Sequence, residues 1–146
     1  MPIAIIGAGA VGATLGQAWL KHGQDVIWGL RNPADPKYAG LAKERVKTPS
    51  EAVKEAEIVV IATPWSATES AVKSLGSNLA GKIMIDCTNP LGMGPDGLQL
   101  VLGFDTSAGE QVASWALKMK TDQYAARRVP CVQAFTTKKK PSSTEP

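Results

Sequence analysis

Histidine and cysteine are nearly absent from this 146-residue sequence: His22 stands alone, and Cys87 and Cys131 lie far apart without C-x-x-C spacing. One histidine cannot supply a metal cluster, and neither H-E-x-x-H nor a Ser-His-Asp set nor paired carboxylates occur, so no metal site and no catalytic side chain is assigned. Long apolar runs are missing as well. No stretch approaches the roughly 18 to 20 residues that span a bilayer, and Met1-Pro2 leads into a strand-like run without a basic leader, which excludes a membrane partner and predicts a cytoplasmic protein with reduced thiols. Aromatic residues make up only 5% of the chain, and the basic stretches that produce the mild net charge of +3 hold a single one, Tyr124, rather than an interleaved series. Those stretches, "KMKTDQYAARR" and "TTKKKPSSTEP", read as solvated polar segments rather than a nucleic-acid footprint.

What is present is an alternation of strands and helices. "PIAII" is a β-rich run ending at Gly7, "VGATLGQAWLKHG" a helix closed by Gly23, and "DVIWG" a second strand. An irregular "LRNPADPKYAG" leads to a short helix over 41–45 and a third strand near Val46. Helix starts are marked by Ser/Thr followed three residues later by Glu, at Thr48 with Glu51, Ser66 with Glu69, and Ser107 with Glu110. Between them, "EIVVIAT" and "KIMIDCT" are near-continuous apolar runs, as in strands buried on both faces, and "CVQAF" is a last strand. The order predicts an α/β fold, a doubly wound parallel sheet in the order 3-2-1-4-5-6 forming a single Rossmann dinucleotide-binding domain over 1–137. Residues 138–146, basic and Pro/Ser-rich, are predicted to form a disordered tail.

Gly7, Gly9 and Gly12 make a G-x-G-x-x-G motif whose first glycine ends a strand and whose last lies in a helix. That context is the dinucleotide fingerprint: a tight turn at Gly7, room for a pyrophosphate at Gly9, close helix–strand packing at Gly12. Ala10 and Val11 complete the motif at the helix N-terminus, where unpaired N–H groups face phosphate. Gly16 reads as a further close-packing position. At the end of the second strand, where an NAD site places an acid on the ribose 2′-hydroxyl, stand Arg31 and Asn32, with Lys37 nearby. Arginine's fork suits the 2′-phosphate of NADP, and Asp25 is too early to take the acidic role.

"GAGAVG", "GLRNP", "VVIATPW" and "IDCTNPLG", in that order and spacing, resemble the coenzyme F-420-dependent (deazaflavin) NADP oxidoreductases. "GFDTSAGEQVASWAL" and "VQAFTT" are similar to later segments of that family. The resemblance implies hydride transfer between NADPH and a deazaflavin, or a flavin such as FAD or FMN, as the small-molecule partner. It places Thr63, Pro64 and Trp65 along the nicotinamide half of NADP, and Asn89, Pro90 and Thr136 in the neighbouring loops where the acceptor lies. Members continue past the equivalent of "TTKKKPSSTEP" into a helical segment that often builds a homodimer. Deazaflavin binding, catalytic competence and oligomeric state therefore stay open, and two alternatives stand beside the oxidoreductase reading. One is a non-catalytic NADP-binding sensor; the other is an NADP-dependent hydroxyacid or imine reductase domain lacking its substrate domain.

Overall fold

The computed structural model describes residues 1–102, 105–118 and 131–133. Among the described residues six strands form one parallel sheet: β1 (Ile3–Ile6), β2 (Val26–Gly29), β3 (Val46–Lys47), β4 (Ile58–Ile61), β5 (Ile83–Asp86) and β8 (Cys131–Gln133). Their order across the sheet is β3-β2-β1-β4-β5-β8, the doubly wound arrangement expected from the alternation of elements. Every residue of β1 is buried, because successive side chains point to opposite faces and both faces are covered. Ile3 and Ile5 join Val26, Trp28 and Val60 beneath α1 (Ala10–Lys21). Ala4 and Ile6 join Val59, Ile61 and Met84 on the other face, beneath α2 (Pro49–Glu55), α3 (Trp65–Leu75) and α4 (Ala108–Lys118).

Glycines set how closely α1 lies on the sheet. A Cβ at Gly16 would enter the Trp28 ring, and the Trp28 Nε1–H donates to the Gly12 carbonyl at 3.1 Å. The buried indole thereby satisfies its one polar group without water. His22 is the C-cap of α1, at the end away from the glycine loop, and Gly23 follows with φ +75°, the left-handed residue that closes the helix.

The helix signals fared unequally. Thr48 and Glu51 form a complete capping box at the start of α2, with Pro49 in its first turn. Ser107 and Glu110 form the second: the Ser107 N–H donates to Glu110 Oε2 at 2.7 Å, and the Glu110 N–H to Ser107 Oγ at 3.2 Å. The third does not form. α3 begins at Trp65 with Pro64 as its N-cap, so Ser66 is already inside the helix and Glu69 pairs with Lys73 at 2.6 Å. The helix expected over 41–45 is a single 3-10 turn, Lys43–Arg45. A two-stranded antiparallel hairpin, β6 (Leu91–Gly94) with β7 (Gly97–Leu100), occupies what reads as loop after β5. Its turn is Pro95-Asp96, and Gly97, which opens β7, has φ +104°. The proposed tail 138–146 and the domain's end at 137 lie outside the described residues.

The capping boxes couple stability to acid. Hydrogen bonds from Thr48 hold the Glu51 carboxyl below its ordinary value of 4.5, and those from Ser107, with Thr106, do the same for Glu110. A depressed folded-state value means the folded form prefers the carboxylate. The stabilisation is therefore complete above 4.5 and is lost as pH falls through the lowered values. Urea midpoints should fall on acidification across that window, and the fall should be smaller in Glu51→Gln.

Candidate nucleotide-binding site

At the carboxyl edge of the sheet, where β1 and β4 end side by side, a cavity of about 880 Å³ opens. Gly7 turns the chain out of β1 with φ +101°, and a Cβ there would come within 2.7 Å of the Ala62 carbonyl oxygen. Only glycine meets both demands. A Cβ on Gly12 would run into the Gly7 carbonyl oxygen, so this glycine lets α1 dock against the loop. Gly9 differs: a Cβ would meet nothing within 4 Å, and the residue faces open space. As N-cap of α1 it offers no side-chain acceptor, and the first turn carries no acid. The backbone N–H groups at this helix start are thus left for an anion.

Arg31 and Lys37 stand on the β2 side of the cavity. Arg31 is exposed and makes no hydrogen bond or ion pair among the described residues. Lys37 pairs with Asp35 at 2.9 Å and lies 4.9 Å from the centre of the Tyr38 ring, which also lines the wall. Asp35 first, and Tyr38 after it, hold the Lys37 ammonium above its usual range, so it stays charged. Asp25, at the start of β2, is engaged by Arg45 at 2.7 Å.

The β4 side is neutral. Thr63 and Pro64 follow β4 into the wall, and α3 adds Ala67, Ser70, Ala71 and Ser74. Those four small residues recur at helical spacing, a pattern visible in the sequence but not used in reading it. The Thr63 and Thr68 hydroxyl oxygens are 2.9 Å apart, and Thr68 donates to the Pro64 carbonyl at 2.9 Å.

The cavity thus brings together Gly7, Gly9, Ala10, Arg31, Lys37, Thr63 and Pro64. Gly12 lies buried directly behind the loop, and Val11 is exposed on the first turn of α1 outside the wall. Asn32 accepts from the Asp35 N–H at 3.1 Å and is also outside the wall. Trp65 points to α4, its ring centre 5.4 Å from that of Trp115. Asn89 and Pro90 lead into β6: the Asn89 carbonyl accepts from Leu91 and the Pro90 carbonyl from Val101. They do not line the cavity. Thr136 lies outside the described residues. At the end of β5 the buried Asp86 accepts from the Thr88 N–H at 2.9 Å, while its Oδ2 and the Thr88 Oγ1 have no partner among the described residues. Burial, and then the Asp86 charge, push the Cys87 thiol above its ordinary value, which leaves it protonated and weakly nucleophilic at neutral pH. Among the described residues no cluster of three metal-ligating side chains occurs, and no helix is long and apolar enough to cross a membrane.

Residues 2–90 match the family described as NADP oxidoreductase, coenzyme F420-dependent. The chain is similar to a protein of Arthrobacter sp. FB24 whose assignment as an F420-dependent NADP-reductase is itself provisional. The two are 30% identical with a TM-score of 0.70 over 78% of this chain and 57% of that one. An imine reductase from Myxococcus stipitatus, solved with NADP+, is 26% identical with a TM-score of 0.53, over 62% of this chain and 33% of that one. A glycerol-3-phosphate dehydrogenase [NAD(P)+] of Ectopseudomonas mendocina (strain ymp) is 28% identical over 102 residues, 60% of this chain and 30% of that one. The chain therefore spans less than two thirds of the length of each of these relatives.

Proposed function

The chain belongs to the coenzyme F420-dependent NADP oxidoreductases, and on that premise we propose that it holds NADP(H) in this cavity for hydride exchange with a deazaflavin or flavin ring. The observation that carries the reading is the division of the wall. Its ionisable side chains, Arg31, Lys37 and Tyr38, stand on the β2 side, whereas the β4 side is built of threonine, proline, alanine and serine. NADP fits that division. The glycine loop and the N–H groups of Ala10, Val11 and Gly12 take the pyrophosphate, and Arg31 with Lys37 takes the 2′-phosphate, beside Asn32. Thr63 and Pro64 lie along the nicotinamide half, with the Trp65–Trp115 pair bracing the start of α3 behind them. The acceptor ring lies over the next carboxyl-edge loop, Thr88 to Pro90.

NADP supplies the hydride chemistry when bound; the chain's residues bind, orient and exclude water. No acid or base on the neutral side is needed for hydride exchange between two flat rings, which asks for proximity and alignment. A carbonyl or imine acceptor would call for a proton donor that this side of the wall does not offer. The test mixes the protein with NADPH and coenzyme F420, FMN or a cyclic imine and follows nicotinamide absorbance. Oxidation with the deazaflavin or flavin is expected. Binding without turnover would support a sensor, and turnover of the imine alone a reductase of that type. The rate should stay level between about pH 6 and pH 8 once the acceptor's own ionisation is allowed for, since alignment does not titrate. A bell-shaped profile belonging to the protein would overturn this.

A further inference from the structure

Thr68 sits on the core side of α3 with no exposed surface, outside the cavity wall but bonded to two of its residues, Thr63 and Pro64. Its hydroxyl carries one proton and two lone pairs. The 2.9 Å approach to the Pro64 carbonyl is a hydrogen bond only if Thr68 donates. With that proton committed, the Thr63 and Thr68 oxygens, also 2.9 Å apart, are bonded only if Thr63 donates. The reverse assignment would leave the Thr68 and Pro64 oxygens 2.9 Å apart with no proton between them, at a hydroxyl that is itself fully buried, which is costly. The consistent chain runs Thr63 to Thr68 to Pro64. Thr63, a residue of the cavity wall, is then left with lone pairs alone at Oγ1.

We propose that Thr68 is a positioning residue that fixes Thr63 as a pure hydrogen-bond acceptor, so that the neutral end of the cavity selects a donor. This rests on the NADP reading above. Opposite it, Arg31 and Lys37 are pure donors. A molecule with a phosphate at one end and an N–H or O–H donor at the other is therefore bound in one direction: phosphate oxygens, which only accept, are turned away from Thr63. In NADP the donor is a hydroxyl of the nicotinamide-side ribose or the carboxamide N–H.

Thr68→Val keeps the shape and removes the hydroxyl, while the Pro64 carbonyl keeps its bond from the Ala67 N–H at 2.9 Å. The experiment measures dissociation constants for NADP+, 2′-phospho-ADP-ribose and adenosine 2′,5′-bisphosphate in the wild type, Thr68→Val and Thr68→Ser. NADP+ should bind about fivefold more weakly to Thr68→Val, the worth of one neutral hydrogen bond. The bisphosphate, which lacks the nicotinamide half, should be unaffected, and Thr68→Ser should restore NADP+ binding. A parallel loss for 2′-phospho-ADP-ribose identifies the ribose hydroxyl as donor; no loss for it identifies the carboxamide. In a Thr63→Ala background, Thr68→Val should have no further effect. Equal losses for NADP+ and the bisphosphate, no loss at all, or additive losses in the double variant overturn the proposal. A wild type that binds neither NADP+ nor the bisphosphate overturns the NADP reading itself.

Discussion

Replacing Arg31 by alanine should weaken NADPH binding by about 1 to 3 kcal/mol, the usual worth of a charge-assisted hydrogen bond, and leave NADH nearly unchanged. The two cofactors differ only in the 2′-phosphate, so the ratio of their affinities isolates that group. Arg31 suits the task because it lines the cavity and has no other partner among the described residues. Lys37 is less available: its ion pair with Asp35 must rearrange or be shared before it can serve a phosphate. Arg31→Ala should therefore cost more than Lys37→Ala. Because Arg31 is exposed, the difference should shrink as salt is raised toward a Debye length of about 8 Å. Calorimetric titration of wild type and variant with both cofactors checks this. Equal losses for NADPH and NADH would remove Arg31 from the 2′-phosphate.

The β1–α1–β2 unit was legible in the sequence because its glycines answer steric demands that no other residue meets. Gly7 needs a left-handed turn, and Gly12 and Gly16 need the space of a missing Cβ. The buried strands were legible for a similar reason: "EIVVIAT" and "KIMIDCT" have few polar residues to expose. What escaped depended on competition between neighbours. Ser66 and Glu69 have capping-box spacing, yet Pro64 opens the helix two residues earlier and Lys73 engages Glu69. "GMGPDGLQL" carries the turn signal of a hairpin, but glycines in "LGMG" hide its strand alternation. Trp65 and Thr68 show another limit. Their partners, Trp115 and the pair Thr63 and Pro64, are set by how α3 lies against α4 and the end of β4. No local pattern encodes that placement.

The sharpest test of the site separates two glycines of the same motif. Gly9→Val should leave the fold nearly intact: its φ of −72° is open to any residue, and a Cβ there meets nothing within 4 Å. Valine is a poorer N-cap than glycine, so a loss of up to about 1 kcal/mol is expected, read as a fall of a few degrees in Tm. Binding should suffer far more. The space that Gly9 leaves open adjoins the N–H groups at the start of α1, and a valine side chain there would hold a pyrophosphate away from them. Two charge-assisted hydrogen bonds at about 1.5 to 3 kcal/mol each put the expected loss of NADPH affinity at a hundredfold or more. Gly12→Val should reverse the pattern. Its first added carbon meets the Gly7 carbonyl, so α1 must leave the sheet, and the Trp28 bond to Gly12 goes with it. The expected result is a protein that unfolds at much lower urea, with NADPH binding lost as a consequence of the lost fold. A Gly9→Val variant that binds NADPH normally would show that the open space beside Gly9 is not where the phosphates lie. A Gly9→Val variant as unstable as Gly12→Val would show that Gly9 serves packing instead.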